Sequence, residues 1–261
     1  MKSVLLTGIN GTVAQMMRKE LGTQYDIAGL SIPRMEEVLA QKKWRSWKEQ
    51  LQAYHERVTV ALDEVLPGKV AVVHLGWNTQ DENWQGGLDP HNIAVVDWVY
   101  RAAIAHEVPR IYMASSVHSY DFMGDDYDKK EPIPPFPDAR RNAFGTPPSS
   151  LYGVSKRWME IAGQYYAQRL AKGQKILVVR LGAVGAESHP PKRPFGRLWN
   201  SHPDLAGLLA AFIECADDAP DFWITYGVSG NVGEDHHKPM FDTVNPYGFE
   251  PRDNAFEHRP G

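Results

Sequence analysis

Short apolar runs alternate with longer stretches of helical spacing along most of the chain. Ser3–Thr7 (SVLLT) predicts a buried strand, followed by a glycine turn and a helix over about 12–22. Asp26–Leu30 (DIAGL) predicts a second strand. Residues 34–55 are long, polar and helical, with Trp44 and Trp47 on one side. Val58–Leu62 is a third strand candidate and Val70–Leu75 (VAVVHL) a stronger one. Asn92–His106 reads as a helix that Pro90 opens, and Arg110–Ala114 as the next strand. Ser150–Lys172 reads as a helix that Gly173 stops, followed by a strand over Lys175–Arg180. Strands apolar at every position must be covered on both faces. The β-α-β order therefore predicts an α/β architecture: a doubly wound, mostly parallel sheet between helices. Beyond Arg180 the pattern turns irregular, with a loop over His189–Gly196, an apolar helix over Pro203–Ala216 and a short strand over Phe222–Tyr226. Residues 1–180 are thus expected to form the core, and 181–261 a small C-terminal appendage packed on it within one domain.

Composition narrows the classes. With 261 residues, 43% hydrophobic and 23% charged, the chain can bury a sizeable core. A net charge of −4 argues against nucleic acid or a membrane surface as partner. Runs such as Val70–Val73 and Leu205–Ile213 are too short to cross a bilayer. The sequence starts on a strand-like run, without a basic and then apolar leader. Cys215 is the only cysteine, so no internal disulfide forms, which fits a reducing cytoplasm.

The first turn, in LLTGINGTVAQ, has the form Gly8-x-x-Gly11-x-x-Ala14 between strand and helix. Bare backbone lets a pyrophosphate approach the N–H groups there, and a small third residue lets helix and strand pack closely. Asn10, Thr12 and Val13 share that loop and join the candidate cofactor contacts. An ordinary βα turn is the plain alternative; the position after the first strand of an alternating chain favours a Rossmann-type dinucleotide site. At the end of the second strand, where an acidic residue would bind the ribose hydroxyls, the chain has Ser31 and then Arg34. A cation without a carboxylate suits a 2′-phosphate, so between NAD and NADP the reading leans to NADP; equally, Arg34 opens a solvated helix.

In SSLYGVSKRWME, Tyr152 stands four residues before Lys156, on one face of a helix. A phenol near pKa ~10 is too weakly acidic for a neutral-pH base, and an adjacent ammonium is expected to lower that value. Ser115-Ser116 end the strand in RIYMASSVH, at the sheet edge where ligands bind. The plain alternative is a surface helix that carries Tyr and Lys by chance.

Glycine turn, strand-end serine and YxxxK in this order resemble the extended-type short-chain dehydrogenase/reductases. Within them HLGWNTQDENW (74–84), HNIAVVDWVYRAA (91–103), MASSVHSYDF (113–122), LYGVSK (151–156), VRLGAVGAE (179–187) and FDTVNPYGFEPRDNAFE (241–257) resemble the uronate dehydrogenase-like branch. The resemblance implies Ser116 as catalytic hydroxyl, Tyr152 as acid/base and Lys156 on the nicotinamide ribose. It implies cofactor contacts around Leu75 and Gly76, and a cofactor-side role for Asn92, which otherwise reads as an N-cap. On the substrate side it implies Thr79, the Val117 position, His118 and an arginine, Arg193 first and Arg197 second. Val117, Ala183 and Ser31 depart from the branch, which has Asn, Ser and an acidic residue there. The expected activity is NAD(P)-dependent hydride transfer on a small sugar-like alcohol or carbonyl of the aldose or uronate class. The alternatives are a nucleotide-sugar epimerase or dehydratase, which needs a larger C-terminal region, and a non-catalytic dinucleotide sensor. Leu205–Ile213 reads first as core; its alternative, together with the Tyr152 helix, is the face of a homo-oligomer. No metal is expected: His236 and His237 are adjacent and lack a ligand spacing. Trp77 and Trp84 read as packing before pocket lining, and 124–131 as a solvated loop.

Overall fold

The computed structural model describes residues 1–40, 43–78, 90–119, 132–133, 148, 150–191, 195–233 and 239–257. Six strands form one parallel sheet: β1 (Ser3–Thr7), β2 (Asp26–Leu30), β3 (Ala71–His74), β4 (Arg110–Ser116), β5 (Lys175–Leu181) and β6 (Phe222–Gly227). Their order is β2-β1-β3-β4-β5-β6. The described helices are α1 (Thr12–Leu21), α2 (Met35–Leu39), α3 (Trp47–Val65), α4 (Pro90–Ala105), α5 (Leu151–Ala167) and α6 (His202–Ile213). This is the doubly wound Rossmann-type architecture that the alternation predicts.

The strands alternate their side chains between two cores. Leu5, Val72, Ile111, Met113, Ile176, Val178 and Ile224 face the layer of α3, α4 and α5. Val4, Leu6, Ala71, Val73, Tyr112, Leu177 and Val179 face α1 and α6. Both faces are dry, which is why the strand sequences lack polar alternation. Residues beyond 181 supply α6 and β6 to these same layers. A third cluster of Val117, Leu198, Tyr226, Val228, Met240 and Phe241 closes the C-terminal side. Among the described residues no helix is long and apolar enough to cross a membrane.

Three expectations are corrected. Val58–Leu62 is not a strand but the middle of α3, and the helix expected over 34–55 is two, α2 and α3. Tyr54, Val58 and Leu62, four apart, are buried, whereas Val60 is 56% exposed. That is helical periodicity, and packing on the sheet overrides the β-branched composition. Ser46 starts α3 by accepting a hydrogen bond from Glu49 N at 3.2 Å. The other helix, α5, ends at Ala167 rather than Lys172, and Gly173 with φ +88° turns the chain into β5.

From β1 the chain goes to β2 on one side and then crosses back to β3 on the other, so β1 is flanked by both. Strand register sets Thr7 beside His74 and His74 beside Met113. The crevice at this reversal lies at the carboxyl ends of the strands, where open α/β sheets bind ligands.

Candidate active site

The glycine turn forms one wall of that crevice. Gly8 has φ +65°, and a Cβ there would stand 2.6 Å from Gly76 Cα. The ends of β1 and β3 therefore meet backbone to backbone, possible only with residue 8 bare. Gly11 caps α1 without a side-chain hydrogen bond, and the first turn of α1 holds no acidic residue. Its N–H groups and dipole suit an anion. Ala14, 1% exposed, lets α1 lie close on the sheet. Asn10, Gly11 and Thr12 are exposed along the rim and Val13 is half-buried. Beneath the crevice Thr7 Oγ1 hydrogen-bonds His74 Nδ1 at 2.8 Å and accepts from Leu75 N and Gly76 N at 3.2 and 3.3 Å. Burial, with the Lys156 charge, pushes His74 down to about 3, so its ring is neutral. These residues fit a dinucleotide pyrophosphate: a bare-backbone cradle at an uncapped helix start.

The strand-end serine, the tyrosine and the lysine come together beside this crevice. Ser150 caps α5 by accepting from Gly153 N at 3.1 Å. A Cβ on Gly153 would lie 2.2 Å from His118 O, so only glycine lets α5 press against the turn Val117–Ser119 that follows β4. That contact brings Tyr152 to Ser116, and the two hydroxyls hydrogen-bond. Lys156, one turn on, is 4% exposed and donates to Ala114 O at 2.7 Å. Its Nζ lies 3.7 Å from the Trp77 ring centroid and 5.7 Å from that of Tyr152. Burial pulls Lys156 down to about 7 against the opposing pull of Glu160. The expected lowering of the Tyr152 pKa by Lys156 is not what this arrangement produces. Burial raises the phenol, and the Ser116 hydrogen bond offsets only part of that.

Sequence reasoning missed Glu160. It follows Lys156 by four residues, on the same helix face, and that repeat of Tyr152, Lys156 and Glu160 was the available signal. Glu160 Oε1 accepts from Ser115 Oγ and Ser119 Oγ, both at 2.7 Å, and from Arg180 Nε at 2.9 Å. Arg180 Nη2 donates to Glu160 Oε2 at 2.7 Å, and Arg180 Nη1 to the Tyr226 hydroxyl at 3.2 Å. Burial alone would lower the Arg180 pKa; the Glu160 carboxylate reverses that and the net direction is upward. The buried carboxylate thus ties down the residues on both sides of the Ser116–His118 stretch.

The remaining candidates spread around this centre. Ser31 and Arg34 are exposed beyond the end of β2, and Leu30 O accepts from Gly8 N at 2.8 Å, so they flank the cradle. Asn92 is not an N-cap: it lies inside α4, 7% exposed. It accepts from Asn78 N at 2.9 Å and donates to Asn78 O at 3.0 Å, pinning the loop after β3. Val117, offered as a substrate contact, is 3% exposed in the third apolar cluster, so its side chain serves packing. His118 stays half-buried, its ring 6.4 Å from that of Tyr152. Arg197 is buried on the turn Phe195–Leu198. Thr79, Trp84, Arg193, His236, His237 and the loop 124–131 lie outside the described residues. No group of three or more His, Cys, Asp or Glu among the described residues could hold a metal ion.

Known proteins are similar to this chain in sequence and fold. Residues 4–218 match the NAD dependent epimerase/dehydratase family. The NAD-dependent glucose-6-phosphate dehydrogenase of Haloferax volcanii is 29% identical over 97% of this chain and 94% of its own. The uronate dehydrogenase of Agrobacterium fabrum is 27% identical over 98% of this chain and 86% of its own. A crystal structure of uronate dehydrogenase from Agrobacterium tumefaciens, a tyrosine-to-alanine mutant complexed with NAD, superposes with a TM-score of 0.68. It is 25% identical, covering 98% of this chain and 86% of that one. With the Rossmann-type sheet and its glycine cradle, the match over residues 4–218 establishes that the chain belongs to the NAD dependent epimerase/dehydratase family, and the chain is similar to the sugar dehydrogenases named above.

Proposed function

We propose that the protein oxidises or reduces a small sugar of the aldose or uronate class through Ser116, Tyr152 and Lys156. The observation that carries this is the hydrogen-bonded Ser116–Tyr152 pair at the sheet edge, with the Lys156 ammonium one helical turn away beside the glycine crevice. In the oxidative direction the Tyr152 oxygen takes the proton of the sugar hydroxyl, and Ser116 holds the oxygen in line by hydrogen bonding. Lys156 anchors the ribose hydroxyls next to that oxygen. The nicotinamide, when bound, supplies the hydride acceptor. What the chain contributes is geometry and proton transfer. The names of the relatives, glucose-6-phosphate, uronate and L-arabinose dehydrogenases, support the sugar class. A screen of aldoses, uronic acids and their lactones with both cofactors tests it by reduced-nicotinamide absorbance. Retained NAD with no net redox on any sugar would replace this reading with epimerisation.

For the cofactor, Arg34 supports acceptance of NADP beside NAD, against the repulsion of Glu36 and Glu37 in the first turn of α2. Arg34→Ala is expected to weaken NADP binding by about tenfold, one charge-assisted hydrogen bond, and to leave NAD almost unchanged. Titration of both cofactors reads this directly; equal losses for the two would remove Arg34 from the phosphate site.

We also place a second copy of the chain on α5. Leu151, Val154, Ile161 and Tyr165 are 43, 42, 58 and 51% exposed and recur along one face of that helix. Leu205–Ile213 belongs to the second core, as its first reading has it, with Leu209 fully buried, and so does not share this surface. Ile161→Lys should shift sedimentation toward a smaller species; an unchanged profile removes α5 from the interface. The unpaired Cys215 and the charge of −4 support a cytoplasmic location and a small-molecule partner.

A further inference from the structure

We propose that Trp77 is a positioning residue for Lys156: its indole face holds one side of the buried ammonium at the tip of β4 and leaves the lysine's remaining N–H groups to a ligand on the other side. The task given to Lys156 rests on the dehydrogenase reading; the contact itself does not.

Lys156 Nζ lies 3.7 Å from the Trp77 ring centroid, in van der Waals contact with the π face. Such a face attracts a cation most strongly where water is excluded, and Lys156 is 4% exposed. The indole is placed by the fold on both sides. Before it, Leu75 N and Gly76 N donate to Thr7 Oγ1, whose residue is fully buried in β1. After it, Asn78 is clasped through both its N–H and its carbonyl by Asn92 of α4. A loop residue tied between two buried side chains does not rest on the lysine by chance.

Ala114 O takes one N–H of the ammonium at 2.7 Å; the side chains around Lys156 other than Trp77 cannot do this work. On α5, Glu160 favours the ammonium but is ion-paired with Arg180 of β5 at 2.7 Å. On β3, His74 is neutral, so it offers the ammonium no counter-charge. Ser115 of β4 is committed to Glu160, and the Tyr152 ring, with His118 beyond it, is farther from Nζ than Trp77. A carboxylate in place of Trp77 would lock the lysine in an ion pair. A π face steadies the cation without supplying a competing acceptor, so N–H donors stay available for sugar or ribose hydroxyls.

Two variants separate the π face from bulk: Trp77→Leu keeps an apolar, dry contact without π electrons, and Trp77→Phe keeps a weaker face. The first measurement uses the purified chain alone. Emission of the native protein minus that of Trp77→Phe, followed against pH, should show an inflection that is missing when the same subtraction is made in a Lys156→Met background. The second is the pH dependence of NAD(P) binding. Trp77→Leu should move the Lys156-linked inflection down by about one pH unit and weaken Kd above it by about tenfold, with Trp77→Phe in between. If Trp77→Leu does not fold, the shift must still appear, smaller, in Trp77→Phe. Binding curves that coincide for native protein and the folded variants, or a Trp77 emission blind to Lys156, would overturn the assignment. Because the emission titration needs neither sugar nor cofactor, failure of the dehydrogenase screen leaves that result standing.

Discussion

Tyr152→Phe should lower turnover of a confirmed sugar by about 10²–10⁴-fold while dinucleotide affinity stays nearly unchanged. The ring keeps its place against His118 and Ser116 keeps its strand-tip position, so only the proton-carrying oxygen is lost. The pH profile sharpens the test. Burial raises the Tyr152 pKa above the ordinary phenol value, and the Ser116 hydrogen bond only partly offsets it. Oxidation needs the deprotonated oxygen, so its rate should still be climbing on the alkaline side of neutrality. Reduction needs the phenol proton and should hold through neutral pH and fall at the alkaline end. A variant with undiminished turnover, or an oxidation rate that is flat with pH, contradicts Tyr152 as the acid/base.

Glu160→Leu carries the second large effect, on stability. The substitution leaves the Arg180 guanidinium, 2% exposed, without its counter-charge. Breaking a buried pair from one side costs about 3–5 kcal/mol, because the charge left behind stays buried without a counter-charge, with the neutral Tyr226 hydroxyl still accepting from it. Ser115 and Ser119 lose their shared acceptor in the same step. The double substitution Glu160→Leu with Arg180→Met should recover most of the loss, since two apolar side chains of similar volume carry no desolvation penalty. Urea unfolding of the three proteins decides it. A single variant as stable as the native chain, or a double variant no better than the single, would show that the pair is not the anchor of this region. Turnover separates the two roles: the double variant should fold yet stay impaired, because nothing then ties Ser115 and Ser119 around Ser116.

Much of the molecule is written in short-range pattern. The strands Ser3–Thr7 and Asp26–Leu30 stand where apolar runs put them, the strand expected over Lys175–Arg180 runs one residue further to Leu181, and the alternation of strands with helices is what makes the sheet parallel. The glycine turn and the spacing of Tyr152 and Lys156 are equally local, since one helical turn or one tight bend decides them. The run Val58–Leu62 shows where such reading ends. Its β-branched residues favour a strand, but the face made by Tyr54, Val58 and Leu62 has a sheet to cover, and burial outweighs propensity.

The partners across the sheet are a different matter. Lys156 meets Trp77 from the end of β3 and Glu160 meets Arg180 from β5 through strand order and register, which no window of residues contains. Asn92 clasps Asn78 only because α4 packs over the crevice. The amino-acid sequence by itself therefore determined the elements, the phosphate-shaped turn and the chemical types at the site. The tertiary structure alone decided which charge is buried against which, and so which way the pKa of Tyr152 moves, because desolvation and pairing depend on distances between segments far apart in the chain.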